Sequence, residues 1–414
     1  MIKKLRKNKL IVNSFYLMSS AAVHSLVGFL FYIIIVRLFS ADDVGLSVNL
    51  LTSLSFVMVL SHFGFSESII KFYKKSKDKK ALIGTSISIS AILSVFFGII
   101  ILAVICINIS EIMQFFTESP FYGLLFVLMS LFWTVSFLVD SIYIAIEESK
   151  YVFFKTIIFS FFKLALPFFL VSLGFFGIYS AWAIAAFISL VLIQAVRKIR
   201  FRLGINLKII KKIISFTFIN YIGNIAYWLR NFLVPFLITL LFGAAQAAFF
   251  YVPLRLLDLM LVVPKSTGRA LFAQNSAKKT RSKNTTLVFS LSIASSLFFM
   301  IMFFFFGNRI LLIYGSEYMA NGFAVLKILS LYGLFMALNE ILLTQAQHSS
   351  DSKEILIIRV LSSFFTIVSL WHFISYGVIG FAFAFLFGEG TAFVAVILIR
   401  IRKYLDKNKE GESI

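Results

Sequence analysis

Charge is what this sequence has least of. Only 14% of its 414 residues are Asp, Glu, Lys or Arg, where a soluble domain carries roughly a quarter. So few charges cannot coat a water-facing globule of this length, because a folded chain always leaves much of its surface exposed. Cysteine is limited to Cys106, inside an apolar run, which excludes an intrachain disulfide. There is no Gly-x-x-x-x-Gly-Lys-Ser/Thr loop to cradle ATP phosphates, and no His/Cys cluster at metal-ligand spacing. Long polar segments are missing too. The longest external connections, near 108–120 and 307–322, are too short to fold as a domain. These absences argue against an enzyme and predict neither a metal nor a cofactor.

What is present is apolar. Hydrophobic residues make up 60% of the chain, 52 of them Phe, and the mean hydropathy is +0.97. A spanning helix needs about 20 apolar residues to cross roughly 30 Å of hydrocarbon. On that basis helices are predicted near 11–38, 44–66, 81–108, 121–146, 152–173 and 176–196, then 213–241, 246–267, 286–306, 323–346, 355–375 and 378–399. The runs are continuous, whereas barrel strands would alternate. The first stretch exceeds the apolar region of a typical signal peptide and leads directly into more spans, so it reads as a retained helix.

The net charge of +21 could suggest nucleic acid, but its placement indicates lipid. All but six of the 39 basic residues fall in the two tails or in 67–80, 147–155, 197–212, 265–283 and 347–359. The exceptions are Arg37, Lys163, Arg230, Arg255, Arg309 and Lys327. Twelve helices put all seven basic segments on one side, and the positive-inside rule then places both termini in the cytoplasm of a multi-pass cell-membrane protein.

The chain also looks duplicated. Leu38-Phe39-Ser40-Ala41-Asp42-Asp43-Val44-Gly45 follows the first helix, and Leu241-Phe242-Gly243-Ala244-Ala245-Gln246-Ala247-Ala248 follows the seventh. Six-helix repeats share one orientation and would enclose a cavity between halves. The predicted fold is thus an all-α integral membrane protein of two six-helix bundles, residues 1–205 and 206–414.

Three stretches resemble a known family. Ile35-Val36-Arg37-Leu38-Phe39-Ser40-Ala41-Asp42-Asp43-Val44-Gly45 is similar to the turn after the first helix of polysaccharide flippases, members of the multidrug/oligosaccharidyl-lipid/polysaccharide (MOP) exporter superfamily. Leu60 through Phe72 resembles their sequence near helix 2, and Leu241-Phe242-Gly243 through Tyr251, then Arg255-Leu256, resembles the opening of helix 8. The family often has a proline early in helix 7 and near the end of helix 8; here Ser215-Phe216-Thr217-Phe218 and Phe272-Ala273-Gln274 stand there. The resemblance implies a MATE-like fold and a flippase that moves polyprenyl-pyrophosphate-linked oligosaccharide to the outer leaflet, for O-antigen, lipopolysaccharide or other surface polysaccharide, beside other polysaccharide-assembly proteins.

Ionisable groups within apolar spans face protein or a water-filled cavity, because hydrocarbon penalises them. They are Asp140, Lys163, Arg230, Arg255, Asp258, Glu340 and Glu389, with Lys327 near the external end of helix 10. Arg230 forms a polar stripe with Asn224 and Asn231 and has no acid within one turn of its own helix. It is therefore placed in the cavity, and the resemblance over Tyr251 to Leu256 implies the same for Arg255; guanidinium forks suit a pyrophosphate. Arg255 and Asp258 are three residues apart and can neutralise each other. Asp140 with Lys163, and Glu340 with Arg359, read either as structural interhelical pairs or as functional groups. Glu389, between Gly388 and Gly390, either titrates with a coupling proton or bonds to a packed neighbour. His24 and His62 read as packing residues.

The expected mechanism is alternating access, with no ATP site. Energy would come from proton or sodium re-entry, from the membrane potential, or from glycan consumption outside. The alternatives are an organic-cation or multidrug antiporter of the same superfamily, and a membrane-embedded glycan polymerase or ligase. A polymerase or ligase would need a longer external loop than this chain has.

Overall fold

The computed structural model describes residues 9–265, 284–349 and 352–409. Most of the expected basic loop at 265–283, the Phe272–Gln274 position and the extreme tails lie outside the described residues.

Among the described residues there are twelve long helices: α1 Lys9–Leu38, α2 Ala41–His62, α3 Lys79–Asn108, α4 Pro120–Ala145, α5 Lys150–Ala165 and α6 Gly174–Val196 in the first half. The second half comprises α7 Leu207–Phe242, α8 Ala244–Met260, α9 Asn284–Leu312, α10 Ser316–Ser349, α11 Ser352–Phe373 and α12 Gly377–Lys409. By length and composition ten segments qualify as membrane spans; one, Leu356–Arg402, covers parts of both α11 and α12, and α8 has only 17 residues. The expected twelve-helix plan is therefore met, and the described residues contain no strand.

Local chemistry sets the helix ends. Ser40 caps α2 by accepting from the Asp43 N–H, Asp78 caps α3, Asn206 caps α7, and Pro120 opens α4, where no N–H is needed. Several ends differ from expectation, with α7, α10 and α12 longer and α8 shorter, and two of the shortened ends have a local cause. The second helix stops at His62, because Phe63 (φ 46°) and Gly64 (φ 73°) are left-handed, and a short helix, Phe65–Phe72, runs on from the break. The Gly64 N–H left over there donates to His62 Nδ1 at 3.0 Å. The fifth helix stops at Ala165 rather than near 173, since Pro167 cannot continue the backbone ladder and short 3₁₀ turns follow. A short helix, Ser110–Glu118, occupies the expected α3–α4 connection and buries Ile112 and Phe116.

Helix α2 is buried along nearly its whole length, packed on α3, α6, α7 and α8. Phenylalanines take both surroundings: Phe31, Phe126 and Phe250 are core, whereas Phe161, Phe298 and Phe305 face outward, as a hydrocarbon solvent permits.

The halves meet along α2 and α7. Asn49 donates to Thr239 at 2.7 Å, Phe56 stacks on Phe232, Tyr221 donates to the Leu60 carbonyl, and Ser68 bonds to Thr217. At the end away from the basic loops, the two repeated turns touch. Asp42 accepts from the Ala245 N–H at 3.0 Å, and a Cβ on Gly45 would collide with the Ala244 carbonyl, so only glycine allows this approach. Arg37 donates to the Ile313 carbonyl at 2.7 Å, and Phe29 packs edge-on against Tyr314. These contacts hold the far end closed.

Candidate functional site

At 1.5 Å per residue, Arg255 on α8, Arg230 on α7, Glu389 on α12 and His24 on α1 lie about 15–20 Å along their helices from the far end. The chain has thus brought Arg255, Arg230 and Glu389 to similar depths, while Asp140 lies nearer the basic end of α4. The buried charges form three separate groups.

The first lies between the halves. From α5, the Lys163 Nζ sits 3.6 Å from the ring centroid of Trp182 (α6), 4.5 Å from that of Phe31 (α1) and 5.8 Å from that of Phe159. No carboxylate lies within ion-pair distance of it among the described residues. Aromatic faces stabilise a desolvated cation by up to about 2 kcal/mol or more. From α8, Arg255 lies 4.4 Å from the ring centroid of Tyr251 and pairs with Asp258 at 3.2 Å, while Tyr251 packs against Tyr32 of α1. Arg255 and Asp258 are within electrostatic reach of Lys163. Their side chains stay 30% and 38% exposed, so both remain within reach of solvent. Buried Arg255 Nε has no partner, which leaves a donor for a ligand. Beside this group His24 stacks on Phe159 and meets Trp182 edge-on.

The second group corrects the placement of Arg230. Its side chain is 0% exposed and does not reach the cavity. Arg230 donates to Glu389 at 3.0 Å and to Ser362 at 2.6 Å, Ser362 donates to Glu389 at 2.7 Å, and Asn339 donates to the other Glu389 oxygen at 2.6 Å. Its missing acid was on α12, far away in sequence. Helix rotation splits the expected polar stripe: Asn231 bonds back to the Tyr227 carbonyl of its own helix, and Asn224 turns toward the basic end. There it donates to Glu67 at 3.1 Å and accepts from Arg359 at 2.5 Å, linking the halves. Glu340 is half-buried on α10, and Lys327 lies over the rings of Phe323 and Phe304.

The third group corrects the Asp140–Lys163 pair. Asp140 pairs instead with Lys155 at 2.7 Å, beside a cavity of about 100 Å³ that His24 also lines. Helix α5 begins at Lys150, so Lys155 is helical and buried rather than a loop charge, and it also donates to the Ser136 carbonyl. Its spacing across the α4–α5 hairpin from Asp140 was the available signal. Tyr32, Tyr251 and Trp182 carry none, since aromatics are everywhere in this sequence.

Comparisons with known proteins show the family through one match and the fold through others. A family model described as polysaccharide biosynthesis protein matches residues 10–273. None of the curated proteins matches this sequence. Among solved structures, an inward-facing multidrug resistance MATE family transporter of the MOP superfamily superposes with a TM-score of 0.72 at 12% identity, covering 94% of this chain and 96% of its own. An outward-facing structure of such a transporter gives 0.64 at 14% identity, with 95% of each chain covered. A MOP superfamily transporter from Pyrococcus furiosus, described by the reversed polarity of its binding pocket, gives 0.63 at 14%, also with 95% of each covered.

Proposed function

Since the chain belongs to the polysaccharide biosynthesis protein family and is a MOP-type transporter in fold, we propose that it flips polyprenyl-pyrophosphate-linked oligosaccharide across the cytoplasmic membrane by alternating access. One observation carries this reading: between the halves, part-exposed Arg255 of the second half lies within electrostatic reach of Lys163, which the first half holds buried in its aromatic cage. A pyrophosphate entering that space meets two cations on separately moving bodies. The guanidinium offers a planar fork and the ammonium a point charge, both in surroundings that exclude most water. Asp258 neutralises Arg255 while the site is empty and releases it when the anion arrives. The sugars occupy the aqueous space, and the polyprenyl chain stays in lipid beside α1 and α8. With the far end closed, loading is from the basic end, which the positive-inside rule assigns to the cytoplasm.

The test is reconstitution into liposomes with a fluorescent polyprenyl-pyrophosphate oligosaccharide. Wild type is expected to move the label between leaflets. Lys163→Ala and Arg255→Ala are each expected to slow this at least tenfold in protein that stays folded and monodisperse on gel filtration. Wild type that moves no glycolipid under a proton or sodium gradient, yet expels organic cations, would replace this reading with drug antiport.

A further inference from the structure

Residues 197–206 join the halves without helix, yet they are firmly placed. The Tyr143 hydroxyl donates to the Arg197 carbonyl at 2.6 Å, the Gly204 N–H donates to Ser88 at 3.0 Å, and the Asn206 N–H donates to Thr85 at 3.1 Å. A Cβ on Gly84 would collide with the Arg202 carbonyl, so the strap lies directly on α3. Between the strap and Tyr73 runs a groove of about 520 Å³. Its floor is apolar, made of Ile83, Ile142 and Ile146, and its rim carries Arg197, Lys198 and Arg200. Lys79 lies over the Tyr73 ring at the same edge.

The nearby acids are already used. Glu147 pairs with Lys74, and Glu148 holds Arg197 through two bonds of 2.9 and 3.1 Å, which raises the guanidinium's pKa further. Lys198, Arg200 and Arg202 have no carboxylate partner among the described residues. Interleaved with these cations, Leu203, Ile205 and Leu207 are more than half exposed. Water penalises that pattern. The headgroup–acyl boundary of a bilayer favours it, since apolar side chains enter the acyl region and cations meet lipid phosphates.

We propose that this strap and groove form a binding site for an anionic phospholipid. The lipid phosphate lies at Lys198 and Arg200, and an acyl chain lies over Ile142 and Ile146. The occupied site ties the inter-half linker to the leaflet at the basic end, which gives the moving halves a fixed point. It is separate from the Lys163–Arg255 site and stands without any glycan substrate.

Native mass spectrometry of the full chain, released from nanodiscs, tests this with phosphatidylglycerol or cardiolipin against phosphatidylcholine. Wild type is expected to retain the anionic lipids several-fold more than phosphatidylcholine. Lys198→Gln with Arg200→Gln should lower retention at least fivefold, and Ile146→Trp, which fills the groove without changing charge, should do the same. Lys208→Gln with Lys211→Gln removes equal charge at the same end outside the groove and should have little effect. Equal loss in both charge pairs, or equal retention of the neutral lipid, overturns the site. Displacement of the lipid by millimolar inorganic pyrophosphate also overturns it, in favour of a site for free phosphates.

Discussion

Arg230 on α7 and Glu389 on α12 form an ion pair of 3.0 Å with both side chains removed from solvent. They are 159 positions apart in sequence. Ser362 and Asn339 complete the carboxylate's shell, so four helices of the second half share one polar knot. Removing one member leaves the other charge buried and unpaired, which typically costs about 3–5 kcal/mol, whereas replacing both by apolar residues of similar volume is often neutral. Arg230→Ala and Glu389→Ala should each lower the melting temperature in detergent markedly. Arg230→Met with Glu389→Leu should recover most of it and keep glycolipid flipping. Recovered stability with flipping lost would give the pair a role beyond stability.

The Glu67–Asn224–Arg359 chain joins the halves near the basic end. A double-mutant cycle on Glu67→Gln and Arg359→Gln, read by unfolding, should give a coupling of about 0.5–3 kcal/mol. The coupling should vanish in an Asn224→Leu background, because the amide bonds to both partners. Coupling that survives there would mean the halves are joined by another route.

Closure of the far end rests on the Asp42, Gly45 and Arg37 contacts. Gly45→Val should force the turns apart. With Cys106→Ser as background, a cysteine placed at Tyr32 should then be labelled from the far side by a membrane-impermeant maleimide at least several-fold faster than with Gly45 retained. Unchanged labelling would show that other contacts seal that end.

Asp258 screens Arg255 across 3.2 Å. Asp258→Asn removes the counter-charge and should strengthen binding of the pyrophosphate headgroup while slowing its release. The expected outcome is a lower half-saturating substrate concentration together with a turnover reduced several-fold. A rise in both would show instead that Asp258 supports substrate binding.

Sequence alone determined the class, the twelve helices and the family. Hydrophobic runs of spanning length are local facts, legible without knowing any contact, and so are basic loops that recur on one side. The turn from Arg37 to Gly45 was legible as a family feature, but its work was not: Gly45 is glycine because the Ala244 carbonyl, from the other half, lies against it. The buried charges were likewise visible as a set, since the bilayer makes each of them conspicuous.

Their pairing was decided by tertiary structure alone. Arg230 looked unpaired because its acid lies on α12, and Asp140 went to Lys155 instead of Lys163 because the helix begun at Lys150 turns Lys155 inward. Lys163 was then left to an aromatic cage drawn from α1, α5 and α6. A helix fixes the depth of a side chain by its rise and only loosely fixes its facing. Which neighbour it meets depends on how a dozen helices rotate and pack, and no spacing along one helix records that.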